Sequence, residues 1–261
     1  MSPKTVYILR HCDKPLLKKD DKGVCIEQGY LRSYLLVGFT GACTKNLNTC
    51  NNICQGTYTG GIWKKILGDE KPIAIYAAVS KSDNAYANDK NLANRGIKCS
   101  ISNRCCLLLN PTANYYGMEI NEDGGTFCDT EGSLLGKYIL QQTKNNNGIV
   151  IVAWEHHDIP NLLNSLGASP EFLDWPDDAS NRFDIIFKVD FSNNSSNPEV
   201  TILTQELNLE GDSKVIPDFK RKISVKASSN TNINKKIILY TFIGIIILLY
   251  IIFLILFLKY F

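Results

Sequence analysis

The sequence predicts an α/β fold, and three observations predict it. Short apolar, β-prone runs alternate with stretches of helical periodicity. Two of those runs, Val6 to Leu9 and Gly148 to Trp154, are apolar throughout, as strands covered on both faces of a parallel sheet are. Each also breaks off into a polar apex that carries histidine, Arg10-His11 after the first and Glu155-His156-His157-Asp158 after the second. Lys14-Pro15 cannot continue the first strand, and Ile159-Pro160 opens a helix after the second.

The remaining elements follow in chain order. Glu27 to Phe39 reads as a helix, with Leu31, Tyr34, Leu35 and Phe39 near one face. Thr40 to Glu70, which holds Cys43, Cys50 and Cys54, reads as an inserted loop. Pro72 to Val79 has strand character, and Lys81 to Asn103 is polar and irregular. Cys105 to Tyr116 is expected to be helical in part, with Pro111 opening a helix at its first turn. Thr130 to Gln142 is a further expected helix, capped by Asp129 or Thr130. Leu162, Leu163 and Leu166 continue the helix after the second apex. Phe183 to Phe191 and Val200 to Leu207 alternate as antiparallel strands do. One domain over residues 1–210, a polar and basic linker over 211–234 and a membrane segment over 235–261 account for the chain.

That last segment has no charge from Ile237 to Leu258, a run about 33 Å long as helix and enough to cross a bilayer. The N-terminus lacks the apolar core of a signal peptide. The expectation is therefore a single-pass C-terminal tail anchor with the N-terminal domain facing the cytosol. Lys220, Arg221, Lys222, Lys226, Lys235 and Lys236 would flank it as a positive-inside cluster or meet anionic lipid. A net charge of +2 gives no reason to expect a nucleic-acid partner. In a reducing cytosol the nine cysteines are expected as free thiols. A disulfide within Cys43, Cys50 and Cys54, or zinc held by these three with a ligand such as Cys25, stands as an alternative. Asn193 and Asn194 begin N-x-S sequons that glycosylation would reach only in the opposite topology.

The chemistry is expected where the two apices meet. His11, His156 and His157 are all the histidines of the chain, and each lies in an apex. Ligands of open α/β sheets bind at the carboxyl ends of strands. Arginine there offers a planar donor fork for phosphate, and imidazole is a nucleophile or an acid–base group.

With these residues the sequence resembles the histidine phosphatases, the phosphoglycerate mutase-like superfamily. The hallmark Arg-His-Gly after the first strand corresponds to Arg10-His11-Cys12. A second arginine ahead of a helix corresponds to Arg104, in Ser102-Asn103-Arg104 before Pro111-Thr112-Ala113, with Arg95 as fallback. The late histidine corresponds to His156 in Trp154-Glu155-His156-x-x-Ile159-Pro160, a form similar to a eukaryotic and giant-virus branch. The resemblance covers roughly residues 3 to 208. It implies a three-layer sandwich around a mainly parallel sheet, joined here to one C-terminal transmembrane helix.

It implies also that His11 attacks a phosphoryl group, that Arg10, Arg104 and His156 surround its oxygens, and that no metal or cofactor is required. A carboxylic acid must protonate the leaving oxygen; Glu119, Glu122, Asp123, Glu131 and, with His157 in the pocket, Asp158 are the candidates. His157-Asp158 is similar to the His-Asp pair of the acid-phosphatase branch, but counting from His156 places Leu163 in the better helical phase. The chain departs from the family at Cys12, in place of glycine, and at Leu107-Leu108, where Gln-Thr is common. The expected activity is hydrolysis of a phosphomonoester of unspecified class. The alternative is a membrane adaptor that binds a phosphorylated ligand without turning it over.

Overall fold

A computed structural model describes residues 3–15, 23–44, 51–80, 99, 102–144, 146–168, 175–176, 179–192, 197–217 and 219. The chain divides into one compact unit, Met1–Asp218, and a second, Phe219–Phe261. The expected membrane segment lies outside the described residues, among which no helix is long and apolar enough to cross a membrane.

The fold is α/β around a five-stranded, mainly parallel sheet. Strands β1 (Thr5–Arg10), β4 (Pro72–Ala77) and β5 (Ile149–Trp154) run parallel, and β6 (Ile185–Asp190) and β7 (Glu199–Thr204) add an antiparallel hairpin, in the order β4-β5-β1-β6-β7. Every residue of β1 and β5 is buried, which is why neither shows the polar alternation of a half-exposed strand. Their register pairs Arg10 with Trp154, and the His11 amide donates to the Trp154 carbonyl at 3.0 Å. Both apices therefore leave one edge of the sheet side by side.

Helices α1 (Glu27–Leu36), α2 (Gly61–Leu67), α3 (Arg104–Tyr116), α4 (Gly132–Gln142) and α5 (Ile159–Ser165) complete the described unit. Helix α1 stops short of Phe39 because Gly38 turns the chain at φ +57°, and Phe39 begins β2 (Phe39–Cys43). The stretch read as an inserted loop is a hairpin of β2 with β3 (Cys54–Tyr58), followed by α2. Its strands, FTGAC and CQGTY, are too polar and too short to show a period. Asn114 at the end of α3 holds β3, accepting from the Cys54 amide at 3.1 Å and donating to the Asn52 carbonyl at 2.7 Å. The Trp63 indole of α2 donates to Thr112 at 3.0 Å.

Pro111 does not open a helix; it sits inside α3. There its missing N–H costs one backbone bond, which a helix buried from Arg104 to Ala113 tolerates for the sake of packing. Neither Asp129 nor Thr130 caps α4. Glu131 precedes it, and its carboxylate turns back to the Cys128 amide at 2.8 Å.

The cysteines depart most from expectation. Cys12 bonds to Cys25, Cys43 to Cys54 and Cys99 to Cys128. Cys106 is also disulfide-bonded, and Cys105 is a free, buried thiol. Cys43 and Cys54 face each other across the β2–β3 register, where strand geometry brings side chains together. Free thiols are thus overturned as the general state, and zinc on Cys43, Cys54 and Cys25 is excluded because their sulfurs are already bonded. Cys50 lies outside the described residues.

Candidate functional site

Arg10 ends β1 with no exposed surface, and its guanidinium is divided in use. Nη1 donates to the carbonyls of Ser180 at 2.5 Å, Arg182 at 3.1 Å and Ala179 at 3.4 Å. Nε and Nη2 are buried without a hydrogen-bond partner. Those two nitrogens form the edge of the fork that pairs with two oxygens of a phosphate or carboxylate. The Phe183 ring lies 4.2 Å from the guanidinium carbon and keeps its plane in place. Burial lowers the Arg10 pKa to about 10, which leaves it charged at neutral pH.

His11 follows in the turn that leaves the sheet. Its Nδ1 lies 2.8 Å from the Cys12 carbonyl, which can only accept, so Nδ1 carries a proton and Nε2 is the free nitrogen. Four contacts fix this turn. The Cys12–Cys25 bond ties it to the start of α1, and the Ile26 amide donates to the Asp13 carbonyl at 3.1 Å. Gly29 lets α1 approach so closely that a Cβ there would stand 2.9 Å from the Asp13 nitrogen. Asp13 itself is buried in a two-pronged pair with Arg32, at 2.6 and 3.0 Å. Cys12 is therefore neither an idle small residue nor a reactive thiol.

His156 comes from the adjoining strand end, buried, with its ring centroid 5.6 Å from that of His11. Between them stands Glu155, with one oxygen 3.2 Å from His11 Nε2 and the other against His156 Nδ1. Neither imidazole nitrogen has a well-aligned hydrogen bond, so these are charge contacts. A bare imidazole nitrogen and a carboxylate oxygen repel; the contacts are attractive only with a proton among the three groups. Burial lowers the pKa of His11, and it lowers that of His156 to about 4, in both cases against Glu155 and with help from the charge of Arg10. Burial works to raise Glu155, but its contacts with His11 and His156 outweigh that and hold its carboxyl below the usual range. The three groups titrate as one unit.

Of the other expected residues, Arg104 is buried at the first turn of α3, where its Nε donates to the Val24 carbonyl at 3.3 Å. Its charge is felt at Arg10. Arg95 lies outside the described residues. His157 is exposed and stacks on His156 at 3.8 Å instead of joining His11.

The candidate acids do not converge here. Glu119, Glu122 and Asp123 line a separate surface cavity beside β4, and Glu131 is engaged with the Cys128 amide. Asp158 is buried and committed, accepting from the Trp154 indole at 3.1 Å, from Asn161 at 2.6 Å and from the Gly132 amide. Glu155, which none of the sequence arguments selected, is the carboxylate in contact with His11. Its position directly before His156, at the end of a strand paired with β1, was the available signal.

His11, Glu155 and His156 also offer three donor atoms within 4.8 Å of one another, a set that could hold a metal ion. The positive charge of Arg10, which acts on both imidazoles, opposes a cation there and favours an anion.

A comparison with known protein families found no family model that matches this chain, and a comparison with curated proteins found no match.

Proposed function

We propose that this domain is a histidine phosphatase that hydrolyses a phosphomonoester through a phosphohistidine at His11. The observation that carries the reading is the buried, unpartnered Nε/Nη2 edge of Arg10, next in the chain to His11, whose Nε2 meets Glu155 and no hydrogen-bond donor. A fixed cation with two idle donors is what a phosphoryl group needs, and phosphoryl transfer asks chiefly for alignment and charge neutralisation. Arg10, His156 and Arg104 receive the phosphoryl oxygens in this reading.

Glu155 then has a role. In the free site the imidazoles keep its pKa low. A phosphoryl dianion drawing His156 and His11 to itself removes that support and puts negative charge beside the carboxyl, which raises its proton affinity. Protonated Glu155 gives its proton to the leaving oxygen as the His11 Nε2–P bond forms and the P–O bond breaks. The carboxylate then takes a proton from water as hydroxide attacks phosphorus and the N–P bond breaks, returning neutral His11 and inorganic phosphate. A cavity of about 340 Å³, lined by Asp13, Lys14, Gln28, Asn181, Phe183 and Glu210, shares Phe183 with the His11 site and offers room for the rest of a substrate. The apolar run Ile237–Leu258 supports attachment to a membrane.

One observation favours the adaptor reading: His11 is 1 % exposed and Glu155 already occupies its Nε2. Full-length protein incubated with an aryl phosphate separates the two. Wild type is expected to turn over and to trap an acid-labile phosphoryl group that His11→Ala lacks. Equal turnover by both proteins sinks the enzyme reading, whereas vanadate binding with no phosphohistidine establishes the adaptor.

A further inference from the structure

We infer that the domain folds and resides in an oxidising compartment, with a thiol-oxidising partner, and not in the reducing cytosol that the sequence alone suggested. Disulfides join three separate parts of the unit. Cys12–Cys25 locks the turn after β1 to α1, Cys43–Cys54 staples the β2–β3 hairpin, and Cys99–Cys128 closes a buried cluster with Val79. Cys106 is bonded as well, which leaves Cys105 as the free thiol among the described cysteines.

Cysteines retained for packing alone have no reason to meet in pairs. Here the pairs form between residues 11 to 29 positions apart, on elements whose packing brings them together. No pair has the further donors of a metal site, since the cluster of potential ligands among the described residues is His11, Glu155 and His156. Paired sulfurs without a metal are the pattern of extracytosolic domains, where oxidant is supplied; glutathione and thioredoxin keep cytosolic thiols reduced. Each bridge forms as two thiols give up two protons and two electrons to a disulfide-type oxidant, which leaves as its dithiol. Cys105 fits the same account. Burial raises its pKa well above the ordinary value, and a thiol that is neither exposed nor ionised escapes exchange.

This inference does not depend on the phosphatase reading, since it rests on cysteines and not on the histidine site. The test uses full-length protein expressed in eukaryotic cells, quenched in acid with an alkylating agent and mapped by peptide mass. Cys12, Cys25, Cys43, Cys54, Cys99 and Cys128 are expected to resist alkylation under denaturing conditions until reductant is added, while Cys105 is alkylated without it. In sealed microsomes the domain is expected to be protected from added protease until detergent opens the membrane. Alkylation of those six cysteines in the quenched protein overturns the inference, and so does digestion of the domain in sealed vesicles.

Discussion

Removal of the Cys12–Cys25 bond tests both the stability of the domain and the integrity of the His11 turn. The bond spans 13 residues, and closing a loop of that size removes chain entropy worth about 3 kcal/mol from the unfolded state. In a domain of this size each kcal/mol moves the melting temperature by about 2–4 °C, so the loss corresponds to about 6–12 °C. Both sulfurs are buried, so Cys12→Ala/Cys25→Ala avoids the added cost of an unpaired hydroxyl. Melting of the double variant and the wild type, followed by circular dichroism without reductant, reads the difference. Adding a reductant such as dithiothreitol should lower the wild-type midpoint further, because Cys43–Cys54 and Cys99–Cys128 open too. It should move the double variant less than the wild type. A double variant that melts within about 2 °C of the wild type refutes the reasoning, because a loop-closure term of about 3 kcal/mol cannot then be present.

Arg10→Lys keeps the charge but loses the fork, and is expected to lower kcat/KM for an aryl phosphate by about 100-fold or more, measured on protein whose folding is verified by its melting curve. Stability should fall with acid. His156 stays neutral in the folded state down to about pH 4 while the unfolded chain protonates its histidines near 6.5, so stabilisation present above 6.5 is lost as pH falls toward 4. The slope is up to about 1.4 kcal/mol per pH unit for each extra proton taken up by the unfolded chain, read from denaturant midpoints; a flat profile from pH 7 to 4.5 contradicts it. Asp158→Ala strands the Trp154 indole and the Gly132 amide and should cost about 1–3 kcal/mol in denaturant titration, whereas His157→Ala, on the exposed ring, should change stability by under about 0.5 kcal/mol.

The parts of the fold legible in the sequence are those where burial and period act alone. The runs ending at Arg10 and Trp154 are apolar because they lie at the centre of the sheet, and their polar ends mark where the chain leaves the core. The antiparallel pair β6–β7 showed for the converse reason: β7 lies at the sheet's edge and exposes part of its surface, so alternation survives. The β2–β3 hairpin gave no such signal. It is held by a cross-strand disulfide and by Asn114 from α3, contacts that no local pattern encodes. Cysteine pairing is likewise a property of the folded chain: spacing counts the thiols but does not say which are neighbours.

The same limit explains why Glu155 escaped notice while His11 and His156 did not. Inside a strand, neighbours point to opposite faces, so residue 155 would project away from 154 and 156. That rule lapses at Trp154, the last residue of β5, after which the chain turns. The indole of Trp154 is held by Asp158, while Glu155 and His156 both turn toward His11. A carboxylate that reads as a spacer thus becomes the third member of the site. Substitution by glutamine tests that membership through the neighbouring imidazole. Glu155 props up the proton affinity of His156 against burial, so Glu155→Gln should move the His156 titration below its wild-type value of about 4, followed by the ring-proton NMR signals. A His156 midpoint that stays in place or rises on this substitution removes Glu155 from the site and, with it, the acid assigned to the leaving group.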